Sequence, residues 1–367
     1  MLGKVSRSFA AVIRQLPKLL VTDIVVFYLV LRGLDTVEDD MTAFDDMQVK
    51  IKLLTEFHET ALVDKAWKVE GVGEGHERLL LERFSSVTAV FHSLGKGSQE
   101  VIADITKRMG AGMAEFVSKD LGQGTVSTAE YDKYCYYVAG LVGDGLTRLF
   151  VATGIEGQEL LLAPKLSNSM GLFLQKTNII RDYLEDYVDG RAFWPQDVWR
   201  KHAKTGQLGE FALPQFSREN ALACLNELVT DALALVPDCL AYMRQIKDPE
   251  VFRFCAIPQV MAIATLAEVY NNPDVFRGVV KIRKGLACRM ILESGDLEGI
   301  FAWFNKLARG IAKRVPASDP SASRTVEVCR IALEITTPMG KEREISRKSL
   351  ALFAVPVLLS AAYVYRR

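Results

Sequence analysis

The chain has 367 residues, of which 49% are apolar and 25% charged, and its 45 Lys and Arg residues balance 45 Asp and Glu residues. This length allows a large core, and the even charge argues against nucleic acid as a partner. Near the start, the short apolar stretch is interrupted by Arg14. A secretory signal peptide is therefore not expected.

Apolar residues recur at helical spacing through most of the chain, without an alternating strand pattern or an internal repeat. Runs such as "TDIVVFYLVLRGLDTVEDD" and "SMGLFLQKTNIIRDYLEDYV" are separated by Gly, Pro and Ser. This pattern predicts an all-α protein built as a single large helical bundle. We expect that domain over residues 1–314, followed by a linker and a charged segment over 315–349.

The first unusual feature is the apolar helix in "FYLVLRGLDTVEDDMT", because it ends in a group of acids. Asp35, Glu38 and Asp39 stand at i, i+3 and i+4, so a helix places all three carboxylates on one face, and Arg32 joins that face. Such carboxylates repel one another unless cations or donors neutralise them. Taken alone, however, the motif is more often an exposed acidic helix end.

A second motif strengthens the functional interpretation. In "NIIRDYLED", Asn178, Asp182 and Asp186 stand at i, i+4 and i+8, with Arg181 beside them. Carboxylate and amide oxygens without His or Cys suit Mg²⁺, and the planar guanidinium of Arg suits phosphate. The two motifs together predict a bundle cavity where Mg²⁺ ions bridge carboxylates to a diphosphate, while an apolar remainder holds a hydrocarbon chain.

The end of the chain has a different character. Residues 350–365, "LALFAVPVLLSAAYVY", carry no charge and lie between "GKEREISRKS" and two arginines. A straight helix of that length spans about 24 Å, a little less than the roughly 30 Å of a hydrocarbon core. Flanking Tyr and Arg side chains can extend that reach. We predict a C-terminal membrane anchor, with a final buried helix as the alternative.

Several longer motifs, taken in order, resemble those of the squalene synthase family. They are "SRSF", "FYLVLRGLDTVEDDM", "YCYYVAGLVG", "NSMGLFLQKTNIIRDYLED", "FWPQDVW", "FCAIPQVMAIATLAEVYNN" and "VKIRKG", and they cover most of residues 5–310. The resemblance implies an all-α isoprenoid synthase fold with a central cavity. It further implies a farnesyl-diphosphate farnesyltransferase of sterol biosynthesis, which joins two farnesyl diphosphates into presqualene diphosphate and reduces this to squalene with NADPH.

The resemblance also implies roles for individual residues. The Mg²⁺ and diphosphate ligands would be Asp35, Glu38, Asp39, Asn178, Asp182 and Asp186. The substrate or dinucleotide phosphates would be contacted by Ser6, Arg7, Phe9, Arg32 and Arg181, and the NADPH phosphates by Lys281 and Arg283. Tyr137 would move the proton of the first half-reaction, and the ring of Phe254 would stabilise a cation in the second. Without the resemblance, these two aromatic residues would be read as core packing and "KIRK" as a solvated patch.

Some features leave alternatives open. Asp144 stands where an apolar residue is expected. No G-x-G-x-x-G lies between a strand and a helix, so NADPH would have to bind through side chains on helices. A phytoene or dehydrosqualene synthase would share both acidic motifs but lack the reduction, and a non-catalytic membrane-tethered scaffold would leave the acids as solvated helix ends. We expect a monomer in the endoplasmic reticulum membrane, with its catalytic domain facing the cytosol.

Overall fold

The structure is a computed structural model that describes residues 2–5, 10, 12–213, 215 and 217–337. Within these ranges every regular element is a helix and no strand is present, so the all-α prediction is confirmed. Three residues of the predicted site, Ser6, Arg7 and Phe9, lie outside the described residues, as does the apolar segment 350–365.

Seventeen α-helices lie in the described residues. They are α1 (Leu2–Val5), α2 (Lys18–Asp39), α3 (Met47–Thr60), α4 (Gly75–Glu82), α5 (Ser85–Phe91), α6 (Lys96–Val117), α7 (Thr128–Cys135), α8 (Leu141–Ala152), α9 (Pro164–Arg181), α10 (Tyr183–Val188), α11 (Gln196–Trp199), α12 (Arg218–Leu233), α13 (Val236–Met243), α14 (Pro249–Val269), α15 (Lys284–Glu293), α16 (Leu297–Ala312) and α17 (Ala322–Thr336). A π-helical turn, Tyr136–Gly140, joins α7 to α8, and 3₁₀ turns occur at Gln158–Leu162, Leu208–Ala212 and Pro273–Phe276.

Contacts divide the chain into two compact units. The first comprises the described residues of Met1–Asp120, Asp132–Gln175 and Ala241–Ile257, and the second those of Leu121–Tyr131, Lys176–Leu240 and Pro258–Arg367.

The first unit is organised around α6, which packs against α2, α3 and α8. Two glycines bring these helices close together. A Cβ on Gly110 would lie 2.2 Å from the Leu54 backbone oxygen in α3, and one on Gly145 would lie 2.5 Å from the Phe27 ring in α2. Since real Cβ contacts are never that short, larger side chains at these two positions would force the helices apart.

The second unit has an aromatic core. The ring of Tyr183 lies 4.6 Å from that of Trp194 and 5.3 Å from that of Phe276, measured between centroids. The polar groups of Tyr183 and Trp194 are both hydrogen-bonded. The Tyr183 hydroxyl donates to the Leu208 backbone oxygen, and the Trp194 indole N–H donates to that of Ile179. This cluster fixes the position of α10, which carries part of the second acidic motif.

Helix α17 lies within the segment that the sequence predicted to be a linker. Its residues belong to the segment 315–349, yet Cys329, Ala332 and Leu333 are buried and α17 packs against α12 and α16. The Thr325 hydroxyl is 2.6 Å from that of Thr230 in α12. The linker prediction is therefore wrong for residues 322–336, because their apolar side chains recur at helical spacing and complete the core of the second unit.

One described helix, α14, is long and apolar enough to cross a membrane, with a mean hydropathy of 1.4. However, 72% of its most apolar stretch is buried inside the protein. A core helix has this combination of properties, so α14 is not the anchor that the sequence predicts at residues 350–365.

Replacing Leu333 in α17 by Ala should lower the free energy of unfolding by about 2–3 kcal/mol, because a buried side chain is lost and a cavity remains. The matched control is Glu334→Ala at the adjacent exposed position, where the change should stay within about 0.5 kcal/mol. Chemical denaturation monitored by circular dichroism measures both. Equal, small effects would mean that α17 does not belong to the cooperative core.

Candidate active site

Helix α2 carries the first acidic motif into an unfavourable environment. Most of its length is buried, from Leu20 to Val37, and no basic residue lies in its last turn. The C-terminal end of a helix carries a partial negative charge, which disfavours carboxylates there. Asp35, Glu38 and Asp39 therefore repel both one another and the helix end, and a cation would relieve that repulsion.

The three carboxylates differ in burial. Glu38 is only 4% exposed, Asp35 is half-buried and Asp39 is exposed. Burial raises the pKa of Asp35 to about 8; the charges of Asp39 and Glu38 add to this shift, and Arg32 opposes it. Near neutral pH the Asp35 carboxyl therefore carries a proton that a bound cation would displace.

A mostly apolar cavity of about 140 Å³ adjoins this helix end within the first unit. Arg32 and Asp35 are its charged lining residues. The remaining lining residues are Ile13, Ile24, Phe27, Tyr28, Leu31, Met109, Val138, Val142, Leu146 and Phe254. The structure thus brings three predicted site residues, Arg32, Asp35 and Phe254, to one apolar space.

The Arg32 guanidinium has unused hydrogen-bonding capacity at the edge of this cavity. Its Nη2 donates to the Tyr28 hydroxyl at 3.4 Å, and its Nη1 lies 3.7 Å from a carboxylate oxygen of Glu77. Its Nε is buried and has no acceptor among the described residues. A buried N–H without a partner is costly, so this donor is suited to an incoming anionic oxygen.

Phe254 is both a core residue and a cavity residue. Its side chain is 5% exposed, and its ring meets that of Phe150 edge to face at 6.2 Å between centroids. The packing predicted from the sequence and the cavity-lining position are therefore compatible with each other. Phe150 holds the ring in place while part of it faces the cavity.

Tyr137 belongs to the π-helical turn Tyr136–Gly140, one residue before Val138 in the cavity lining. Its ring lies directly on Gly112 of α6, where a Cβ would come within 2.2 Å of Tyr137 Cγ. Its hydroxyl donates to Glu115 Oε2 at 3.3 Å. π turns are rare and often mark functional sites.

Asp40, just after α2, organises the backbone instead of joining the acid cluster. One carboxylate oxygen accepts the N–H groups of Thr42 and Ala43, each at 2.8 Å, and the other accepts that of Gly73 at 2.7 Å. Partial burial opposes ionisation, but these bonds lower the pKa of Asp40 overall. This acid therefore ties the end of α2 to the loop that contains Gly73.

The second acidic motif lies in the second unit and is described by itself. Asn178 is exposed in α9, Asp182 stands between α9 and α10, and Asp186 lies in α10. The continuous helix expected from the spacing is interrupted at Asp182, although its N–H still bonds to the Asn178 oxygen at 2.9 Å. Arg181 donates two hydrogen bonds to the Asp182 carboxylate, one from Nε at 2.7 Å and one from Nη2 at 2.5 Å.

The carboxyl group of Asp186 has a raised pKa, as that of Asp35 does. Burial raises its pKa to about 7, with a further contribution from Asp182 and a partial offset from Arg191. Lys281 and Arg283, also in the second unit, are exposed, and Arg283 immediately precedes α15. That all these residues meet around one ligand with the first motif stays a prediction.

The unexpected Asp144 has a clear structural role. Arg108 Nη1 lies 2.9 Å from Asp144 Oδ2, and Arg148 Nη1 lies 3.7 Å from the same oxygen. Arg148 also pairs with Asp104 at 2.5 Å. The other terminal nitrogen of Arg108 donates to the Tyr136 hydroxyl at 2.6 Å. Asp144 therefore belongs to a half-buried ionic network beside the π turn.

Two residues that contact the tyrosine pair, Arg108 and Glu115, were not predicted from the sequence. A signal was available, since both are charged residues in the apolar run "KRMGAGMAEF" and stand seven residues apart, which is two helical turns.

Comparisons with known proteins agree with this fold. The family model described as "Squalene/phytoene synthase" matches residues 2–285. The squalene synthase of Rattus norvegicus is 49% identical over 327 residues, covering 89% of this chain and 76% of that protein. The squalene synthase of Solanum lycopersicum is 48% identical over 330 residues, covering 89% and 77%. A solved structure of TcSQS with the ligand E5700 superposes with a TM-score of 0.86 at 43% identity, covering 91% of this chain and 95% of that one.

An all-α fold with an acid-ended helix beside an apolar cavity defines an enzyme of the isoprenoid synthase class. The chain belongs to the squalene/phytoene synthase family, as the length of the family match shows. The resemblance to squalene synthases, stated from the sequence motifs, is confirmed.

The raised pKa of Asp35 predicts a pH-dependent cost to folding. The folded chain keeps a proton that the unfolded chain, with an ordinary carboxyl pKa near ~4, releases, so stability falls as pH rises from ~4 towards 8. Asp35→Asn removes this titration. Its stability relative to the parent protein should grow between pH 6 and pH 8 by on the order of 1 kcal/mol per pH unit.

Chemical denaturation at pH 6, 7 and 8 without divalent cations measures this effect. Asp45→Asn, at an exposed position outside the acid cluster, is the control and should follow the parent protein. A constant difference between Asp35→Asn and the parent across this range would contradict an Asp35 that is protonated in the folded state.

Proposed function

We propose that this enzyme is a squalene synthase, which condenses two farnesyl diphosphates to presqualene diphosphate and reduces that product to squalene with NADPH. The observation that carries the proposal is the cavity where Arg32 and Asp35 meet an apolar lining that includes Phe254. A prenyl diphosphate has the matching form, a highly charged head on a hydrocarbon chain. The names of the curated relatives support this choice of reaction.

The residues of the first motif fit Mg²⁺ and diphosphate by the chemistry of their donors. The side chains of Asp35, Glu38 and Asp39 offer only oxygen ligands. In the described residues, no three or more His, Cys, Asp or Glu side chains lie close enough together to hold a metal ion by themselves, so water and phosphate oxygens would have to complete the shell. Mg²⁺ often takes one or two carboxylates and completes its shell with water and phosphate oxygens. Bound there with Arg32, it would stabilise the negative charge of the leaving diphosphate.

The second motif would serve the other diphosphate in the same way. Asn178, Asp182 and Asp186 again offer only oxygen, and Arg181 is held beside them by Asp182. The raised pKa of Asp186 indicates that this carboxyl, like Asp35, would release a proton when a cation binds.

The uncharged part of the cavity would protect the cationic intermediates. Its mostly apolar lining offers few nucleophiles, which favours carbon–carbon bond formation over capture by water. The Phe254 ring, held by Phe150, would stabilise positive charge in the second half-reaction. Tyr137, beside the cavity, would receive the proton lost in the first half-reaction.

NADPH would bind through side chains on helices. Lys281 and Arg283 are exposed next to the start of α15, where both are free to contact phosphate. Ser6, Arg7 and Phe9 complete the proposed phosphate contacts, as the sequence motif "SRSF" indicates.

We further propose that residues 350–365 anchor a monomeric enzyme in the endoplasmic reticulum membrane, with the catalytic part in the cytosol. The support is the uncharged run itself and the Lys and Arg residues that precede it, a charge distribution typical of a cytosolic flank. An apolar product could then pass directly into that membrane.

Incubation with farnesyl diphosphate and Mg²⁺, with and without NADPH, tests the reaction, and gas chromatography with mass spectrometry identifies the products. We expect squalene with NADPH. Asp35→Asn and Asp182→Asn should each lower turnover by at least about 10²-fold, since electrostatic contacts to a leaving group are lost. Dehydrosqualene as the main product with NADPH would support the non-reductive rival, and no product with or without NADPH would support the non-catalytic scaffold. Near-parental turnover by both variants would contradict the role proposed for the two acidic motifs.

Removal of residues 346–367 tests the anchor. The shortened enzyme should move from the membrane pellet to the supernatant on ultracentrifugation and keep its turnover within about threefold, because the described helices are retained. Membrane association equal to that of the full chain would show that another part of the protein binds lipid.

A further inference from the structure

One face of α6 is built to hold the two tyrosines of the π turn. Arg108, Gly112 and Glu115 stand at i, i+4 and i+7, so they form a stripe along a single helix face. Gly112 leaves room for the Tyr137 ring, and a charged side chain on each side of this glycine reaches one tyrosine hydroxyl. The hydroxyl of Tyr136 accepts from Arg108, whereas that of Tyr137 donates to Glu115.

Glu115 is itself held in its ionised form. Lys133 Nζ lies 2.7 Å from its carboxylate and Lys119 Nζ lies 3.2 Å from it. The hydrogen bond from Lys133 lowers the pKa of Glu115, and that from Lys119 adds to the effect. The Glu115 side chain is 35% exposed. A charged acceptor with access to water therefore lies directly behind the Tyr137 hydroxyl.

The tyrosine also lies next to the reaction space. Met109 and Val138 both line the cavity, Gly112 follows Met109 by one helical turn, and Tyr137 directly precedes Val138. The contact between Gly112 and Tyr137 thus lies beside the cavity wall, with Glu115 one further turn along α6.

We propose that Glu115 is a positioning residue that acts through Tyr137 and accepts its proton in the first half-reaction. The inference rests on the proposed function. When the cyclopropane ring of presqualene diphosphate closes, a C–H bond breaks and its electron pair forms the new C–C bond. The proton moves to the Tyr137 oxygen while the hydroxyl hydrogen of Tyr137 moves to Glu115 Oε2, so the phenol is regenerated and Glu115 becomes neutral.

This arrangement removes a chemical difficulty. A neutral phenol, whose pKa is near ~10, is a weak base by itself, and its protonated form is a strong acid. When the phenol oxygen gains one proton and loses another, the final acceptor is a carboxylate. The partial exposure of Glu115 lets it return its proton to water before the next turnover.

The test compares Glu115→Gln, Glu115→Asp and Glu100→Gln in the full-length enzyme. Glutamine keeps a hydrogen-bond acceptor but cannot take the proton, whereas aspartate can. Glu100 is exposed on the same helix and serves as the matched control. With farnesyl diphosphate and Mg²⁺, Glu115→Gln should form presqualene diphosphate with kcat reduced by about 10²-fold or more and an unchanged KM.

Glu115→Asp should restore kcat to within about tenfold of the parent enzyme, and Glu100→Gln should match the parent. Supplied presqualene diphosphate with NADPH should be reduced at the parental rate by all three variants, because Glu115 acts only in the first half-reaction. A loss of folding would lower both half-reactions, and thermal melting detects it directly.

Two results would overturn the inference. In one, Glu115→Gln forms presqualene diphosphate at the same rate as Glu100→Gln, which would leave the released diphosphate as the proton acceptor. In the other, Glu115→Gln slows both half-reactions equally, which would make Glu115 a structural residue. Failure of the parent enzyme to form presqualene diphosphate would instead overturn the proposed function.

Discussion

The desolvation of negative charge at the end of α2 is the constraint on which the site depends. A helix whose sides are buried from Leu20 to Val37 ends in carboxylates, one of which is only 4% exposed. Neither the helix dipole nor the apolar surroundings favour those charges. The folded protein therefore maintains an unfavourable arrangement that a cation and a diphosphate can relieve, and the relief becomes available as binding free energy.

The backbone around this helix end is fixed by contacts that do not involve the acid cluster. Asp40 links it to Gly73, whose Cβ position would clash with Thr36 at 2.3 Å and whose φ of 77° favours glycine. Behind the cavity, Gly110, Gly112 and Gly145 let α6 and α8 approach their neighbours closely. The carboxylates are thus presented by a rigid frame, which limits how far they can move to reduce their repulsion.

The sequence was sufficient for much of this arrangement because helical spacing determines which side chains share a face. The spacing correctly placed Asp35, Glu38 and Asp39 on one helix, but it could not rank their burial, which depends on distant residues packed around α2. The interruption at Asp182 was missed because the helical spacing of Asn178, Asp182 and Asp186 continues across it. The partners of Asp144 were also missed, since Arg108 stands 36 positions away in the chain.

Helix α17 and the π turn also differ from the sequence prediction, because both depend on packing against distant parts of the chain. A break does separate α16 from α17, but α17 itself is stabilised by burial against α12 and α16, which a local sequence pattern does not contain. The π turn gave no signal because Tyr, Val, Ala and Gly are all compatible with an ordinary helix. Tertiary packing decided both cases.

The π turn has a further consequence for the register of the helix it interrupts. Its closing bond runs from the N–H of Leu141 to the oxygen of Tyr136, five residues back, so the turn accommodates one residue more than an α-helical turn does. One residue corresponds to about 100° of rotation about the helix axis. The extra residue therefore sets the angular phase between α7, which carries Lys133, and α8, which carries Asp144, and lets each present its charge to a different part of α6.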